Sequence, residues 1–363
     1  MNTGFTRSVT PTFLIQCKVA LAFLWAVFLT ASAATGFGLG EDGEEGWDPA
    51  GGEAALPENP DDLSLRIRLI EYYHAQYADP DARERRVPHV LWLIEHHPRH
   101  PMSGDVRARL HPVLNDADFK TGSAFWKQHV EEHPEDPVIA GNAARYLAAG
   151  EREAALSFFQ RAAELDADNP AWPVEKARLR RLAAAKLNDR ESSQAQDLLR
   201  LAWADLERAL ELSHEREQRF DILIRIPELA LEAGDSQQAG QRARELLEEA
   251  ERFPVRHWNR ANAIHAAHTT LGRVALREED ILSAGRHLLL SAQVRGSPQL
   301  NSFGPSIILA REFLARGETD AVITFLHLAG NFWVAGRTDL DRWTDEIRGT
   351  GTTDFPRRFA ESP

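Results

Sequence analysis

Cysteine is almost missing from this chain: among 363 residues, only Cys17 carries a thiol. A disulfide framework is therefore excluded, and the fold must rest on its core alone. Segments that alternate apolar and polar residues are scarce, and runs of β-branched residues are nearly absent, which excludes a sheet-built domain. No glycine-rich phosphate loop and no strand-turn-helix nucleophile site occurs, so no part reads as an independent catalytic domain. Cations are in deficit, with 42 Lys and Arg against 55 Asp and Glu and a net charge of −13, so nucleic acid is not an expected partner. No apolar run reaches the ~20 residues that a membrane-spanning helix needs.

What the chain has is helix-forming material. Leucine, alanine, glutamate and arginine dominate, and 43% of the residues are hydrophobic, enough to fold without staples. Arg7 and Lys18 precede or open the apolar run Val19–Leu29, and the small-x-small pattern Ala31-Ser32-Ala33 follows. Residues 1–33 are read as a secretory signal peptide, with the mature chain starting near Ala34. An exported protein, periplasmic or held at the cell envelope, is expected, with no stable membrane insertion after cleavage. Its loss removes two positive charges and moves the net charge from −13 to −15. Residues 34–60, rich in Gly, Pro and acids (Glu41-Asp42-Gly43-Glu44-Glu45), are read as a disordered tether.

The folded part is expected from residue 61. Leu63–Tyr77 reads as a helix capped by aspartate and Val87–His97 as a second, with Trp92 as aromatic filler. Phe119–Glu132 reads as a helix stopped by His133-Pro134, and long helices run through Trp172–Leu187 and Ser192–Ser213. Residues 61–137 thus form N-terminal helical hairpins.

The most ordered pattern lies in Ala140–Asn169. Ala143 and Tyr146 share one face of a first helix, Gly150 closes it with positive φ, and Ala155, Phe159 and Ala162 recur at helical spacing on a second. Small residues let two helices approach closely, and an aromatic fills the gap beside them. This segment resembles the tetratricopeptide repeat, whose period is about 34 residues. Weaker copies carry Gly234, Ala239 and Ala243, then Leu271-Gly272, Ala275 and Ala284, then Ala310, Phe313, Gly317 and Leu326. Glu279 stands where the third copy would place glycine, and Pro227 interrupts a first helix. The resemblance implies an all-α fold, a right-handed superhelical solenoid of antiparallel helix hairpins with imperfect repeats, over residues 138–335. Residues 336–363, with Trp343 beside Trp333, are read as cap and tail. The loop Gly296–Pro305 and this last hairpin also resemble the C-terminal part of uncharacterised exported bacterial repeat proteins.

Three histidine constellations invite a metal. His129-Val-Glu-Glu132-His133 matches the H-x-x-E-H pattern of a metallopeptidase family, though Pro134 ends the helix at once. His265 and His268 lie one turn apart with His257 upstream, and His96, His97 and His100 straddle Pro98. None is assigned a metal, no cofactor is expected, and the chain is read as non-enzymatic.

The resemblance implies that first helices line a concave face that binds a protein or peptide partner. Its groove positions fall on Thr269, Arg273, Arg277 and Arg311, where guanidinium groups would clamp a carboxylate. A zinc-dependent hydrolase using His129, Glu132 and His133 is the first alternative, and a peptide or small-molecule receptor in the same groove is the second.

Overall fold

The structure is a computed structural model that describes residues 47–187, 189 and 192–355. The expected signal segment 1–33 with Cys17, the acidic run 41–45 and the tail 356–363 lie outside the described residues. Among the described residues every regular element is helical, so the chain is all-α. None of their helices is long and apolar enough to cross a membrane. They divide into two compact units, one ending at Leu165 and one beginning at Asp166. The boundary falls inside the expected repeat region, so the Ala140–Leu165 hairpin belongs with the N-terminal unit.

In the first unit, α1 (Pro49–Ala55) corrects the reading of 34–60 as a tether throughout, because residues 49–55 are helical. The Asp48 side chain caps it, Trp47 packs edge-on against Tyr72 at 5.5 Å, and Glu53 accepts hydrogen bonds from Tyr73 Oη (2.9 Å) and His89 Nε2 (3.1 Å). A Gly- and Pro-rich composition carried no apolar period, and these contacts to distant helices supply what the period lacked. Helix α2 (Leu63–Ala75) starts at the expected cap, Asp62, whose carboxylate accepts from Leu65 N at 2.9 Å.

Helix α3 (Pro80–His96) begins seven residues before the expected start, Val87, and runs through Pro88. Asp79 caps it and Pro80 occupies the first turn, a position that tolerates the missing N–H. Pro88 and Glu84 both face solvent, so the carbonyl that Pro88 leaves unbonded is on the exposed side, while Val90, Leu93 and Ile94 are buried. Trp92 is not a core filler: it lies half-buried, under the Arg66 guanidinium at 4.3 Å and stacked on His96 at 4.9 Å. The core of this hairpin is aliphatic, with Leu69, Ile70, Leu93 and Ile94 fully buried.

Arg86 is 1% exposed and has no carboxylate beside it. Its guanidinium donates to Arg107 O (2.8 Å) and Arg109 O (2.9 Å) and meets His74 Nδ1 at 3.0 Å. Burial pulls its pKa down to about 10. The two carbonyls belong to the irregular segment between α3 and α4 (Asp116–Glu132), which this buried cation ties down. Helices α5 (Pro137–Leu147) and α6 (Arg152–Leu165) form the best-marked hairpin, with Ala143, Ala155, Phe159 and Ala162 all fully buried. Gly150 does not have positive φ, which corrects the expected cap. Its missing Cβ is needed instead for the Phe119 ring, whose Cε1 a methyl group there would meet at 2.7 Å.

The second unit contains α7 (Ala171–Ala185), α8 (Ser193–Leu212), α9 (Arg216–Leu223), α10 (Ile226–Glu232), α11 (Ser236–Glu251), α12 (Arg260–Arg277) and α13 (Ile281–Ala292). It continues with α14 (Pro298–Phe303), α15 (Ile308–Leu314), α16 (Thr319–Ala329) and α17 (Arg337–Thr350). Pro227 sits in the first turn of α10, so the expected first helix is split into α9 and α10. The loop 296–305 holds only the short α14, between Gly296 and Gly304, both with φ of 84°. Helix α17 closes the unit: Trp343 is fully buried, Trp333 lies 6.0 Å from it, and Phe355 meets it edge-on at 5.2 Å.

Three hairpins, α10/α11, α12/α13 and α15/α16, reverse through one and the same turn. Its left-handed residue is Gly234 (φ 92°), Glu279 (φ 61°) and Gly317 (φ 80°) in turn. The next N–H then bonds back to the carbonyl five residues earlier: Asp235 to Ala230 (3.0 Å), Asp280 to Ala275 (2.9 Å), Glu318 to Phe313 (3.2 Å). This is the Schellman arrangement. Glu279 thus takes the backbone conformation of the glycine whose place it fills.

A left-handed conformation costs a non-glycine residue about 1–2 kcal/mol, and glycine's extra freedom when unfolded returns about 0.5–1 of that. Glu279→Gly is expected to stabilise the protein by about 0.5 kcal/mol, and Gly234→Ala to destabilise it by about 1 kcal/mol. Nothing lies closer than 3.9 Å to a Cβ at Gly234, so that cost is purely conformational. Urea midpoints at unchanged slope check both.

Candidate functional site

Thr269, Arg273 and Arg277 share one face of α12 at four-residue spacing, and Arg311 lies on α15. They do not form an open cationic patch. Arg273 Nε donates to Glu312 Oε1 on α15 at 2.9 Å, with only 11% of its side chain exposed. Arg277 Nη1 donates to Leu231 O of α10 (3.1 Å) and Ser236 Oγ (3.2 Å), and Arg311 Nη2 donates to Phe355 O (3.0 Å). On α7, Arg181 joins the same pattern by reaching Glu228 (2.8 Å) and Glu232 (2.9 Å) of α10. Side chains of successive first helices are therefore latched to one another, α7 to α10, α10 to α12 and α12 to α15.

Thr269 is buried, at 6% exposure. Its Oγ1 has no hydrogen-bond partner, and neither has Arg273 Nη1, which is buried one turn further along α12. A buried donor or acceptor left unpaired costs about 1–3 kcal/mol. Among the described residues these two, one turn apart on α12, are the buried unpaired side-chain atoms of these first helices.

The histidines of the second-unit constellation are consumed by structure: His265 Nδ1 donates to Ser291 O (2.8 Å) and its Nε2 accepts from Ser306 N (2.9 Å). His257 Nε2 meets Glu217 Oε2 at 2.9 Å, and His268 pairs Nδ1 to Nδ1 with His287 of α13 at 3.0 Å. His287 was not legible as a partner, because only the α12/α13 crossing brings it across from His268. Burial holds the His268 ring well below its ordinary range, at about 4, and the neighbouring His287 adds to this. His74, beside the buried Arg86, is held at about 4 by burial and by that guanidinium.

In the first unit five histidines converge, His96, His97, His100, His129 and His133. One ligand atom each from His129, Glu132 and His133 lies within 4.8 Å of the other two. His133 also lines an open hollow of about 590 Å³ together with His96, His97, His100 and Asp136. Two constellations 29 or more residues apart in sequence thus occupy one corner, because the α3 C-terminus packs against α4. His129 Nε2 donates to Ile94 O at 3.0 Å, which makes that contact direct.

Compared with known protein families and with curated proteins, the chain matches none.

Half-buried histidines held neutral by their surroundings are expected to make the fold acid-sensitive. His74 and His268 have pKa values near 4 in the fold against 6.5 in the unfolded chain, so the unfolded chain binds more protons between those limits. Their contribution is fully present above about pH 6.5 and is lost progressively as the pH falls towards 4. Chemical denaturation at pH 7 and pH 5 is expected to show this loss, and His268→Asn to reduce it. An equal loss in the variant would assign the acid sensitivity elsewhere.

Proposed function

We propose that this chain is an exported, non-enzymatic helical scaffold that binds a protein or peptide through the face formed by its first helices. On this reading α10/α11, α12/α13 and α15/α16 are tetratricopeptide-like repeats, coiled as a right-handed superhelix. Support comes from the shared Schellman turn and from the latching of successive first helices. The observation that carries the binding site is the buried, unpartnered pair on α12, Thr269 Oγ1 and Arg273 Nη1. Both atoms are closed off from solvent, so a carboxylate or peptide carbonyl would accept from them once the side chains over this turn of α12 move aside.

In-cell cross-linking of tagged protein, followed by mass spectrometry, identifies partners and maps the contact. The expected result is one reproducible partner cross-linked to the first helices. Thr269→Val keeps the shape and removes the hydroxyl, and Arg273→Gln removes the charge. Each is expected to weaken that partner by roughly tenfold, the loss of one good hydrogen bond to a charged group. Thermal unfolding of the variants shows whether the fold survives. Cross-links confined to second helices, or full binding by both folded variants, would reject the site. Stabilisation by a single small molecule with no protein partner would favour a receptor instead.

A further inference from the structure

We propose that the C-terminal turn of α4 binds a divalent transition-metal ion of the zinc and nickel class, with His129, Glu132 and His133 as its protein ligands. His129 and Glu132 lie three apart on the last turn of α4 and His133 is its C-cap, and one ligand atom of each lies within 4.8 Å of the other two. Two imidazoles and one carboxylate are the donor set that borderline divalent ions prefer, and that calcium or magnesium does not.

The donors are prepared unequally. His129 Nε2 must carry its proton, since the atom it meets, Ile94 O, can only accept. That leaves Nδ1 as the basic nitrogen, and Nδ1 is buried with no hydrogen-bond partner. A backbone carbonyl on the far nitrogen is the usual outer contact of a metal-binding histidine: it fixes tautomer and ring orientation. Glu132 accepts from Gln128 Nε2 through Oε1 at 2.8 Å, so Oε2 is the oxygen available to an ion. His133 follows as the helix cap, exposed, its ring 6.5 Å from that of His129 and nearly parallel to it.

Around a tetrahedral zinc ion at about 2.0–2.2 Å from each ligand, donor atoms stand roughly 3.3–3.5 Å apart. The observed limit of 4.8 Å closes to that by rotation of Glu132 and His133, the two exposed members, about the anchored His129. The electrostatics favour a cation: the last carbonyls of α4 carry the negative end of its dipole, and Glu131 and Glu135 flank the ligands in sequence. Three protein ligands leave at least one coordination position open, towards the hollow lined by His96, His97 and His100. Glu132 acts here as a ligand and not as a general base, which separates this site from a metallopeptidase reading of the same residues.

The full chain, prepared without a polyhistidine tag and stripped with a chelator, is titrated with zinc chloride by calorimetry, and with cobalt(II) by its visible absorption. The expected result is about one equivalent bound, with a cobalt spectrum of tetrahedral intensity. Glu132→Gln and His133→Ala alter exposed side chains and are each expected to weaken binding by about tenfold or more, whereas His268→Asn leaves it unchanged. No saturable binding below about 100 µM, or undiminished binding by His133→Ala, would overturn the proposal.

Discussion

The left-handed residue at the head of the hairpins α10/α11, α12/α13 and α15/α16 is the constraint on which the arrangement of those three hairpins depends. Once Gly234, Glu279 or Gly317 turns the chain, the bond from the next N–H to the carbonyl five residues back fixes the exit direction. Two helices then run antiparallel at close range, which demands small residues where they cross. Ala230, Ala239 and Ala243 meet that demand in one hairpin, Ala284 in the next and Ala310 in the last, all fully buried. The first helices lie beside one another, and their polar side chains find partners on the neighbouring first helix. Turn, crossing and latch form one causal chain, and the repeat is imperfect wherever a link is replaced. Pro227 shortens a first helix, and the glycines flanking α14 insert a short helix between α13 and α15.

How far the sequence could be read follows from the range of each signal. Helix positions were legible wherever a cap and an apolar period coincide: Asp62, Ser192 and Asp235 each cap a helix through their own side chain. Gly234 and Gly317 announced turns because positive φ is a property of one residue and its neighbours. Gly150 looked identical and serves a different end, since the Phe119 ring that requires it lies thirty-one residues away. Pro88 concealed the start of α3, because what keeps that helix intact is the orientation of the proline towards water, a tertiary fact. The site residues were least legible of all: their spacing marked a common face of α12, but the carboxylate that takes Arg273 and the carbonyl that takes Arg277 come from other helices.

Electrostatics tell the same story at larger scale. An acidic chain with 42 cations would seem to hold them ready for an acidic partner. Instead its arginines act as ties within the fold. Arg86 holds two loop carbonyls without any acid, Arg181 bridges two glutamates, and Arg242 links Glu207 and Glu245. The planar, five-donor guanidinium suits such bridging better than an ammonium would, so attraction by free positive charge is a weak source of affinity where these arginines are tied.

On the proposed function, a partner at the first-helix face binds by exchange. A partner carboxylate approaching Arg273 meets a guanidinium already paired with Glu312, so trading one carboxylate for another gains little. The gain comes from what is unspent beside it. Satisfying Thr269 Oγ1 and Arg273 Nη1 together recovers the cost of two unpaired buried groups, about 1–3 kcal/mol each. Only a ligand that reaches both atoms obtains that sum, and one that merely brings negative charge does not. Discrimination on this reading resides in hydrogen-bond geometry at one turn of α12, and the surrounding ion pairs hold that turn in place while contributing little affinity of their own.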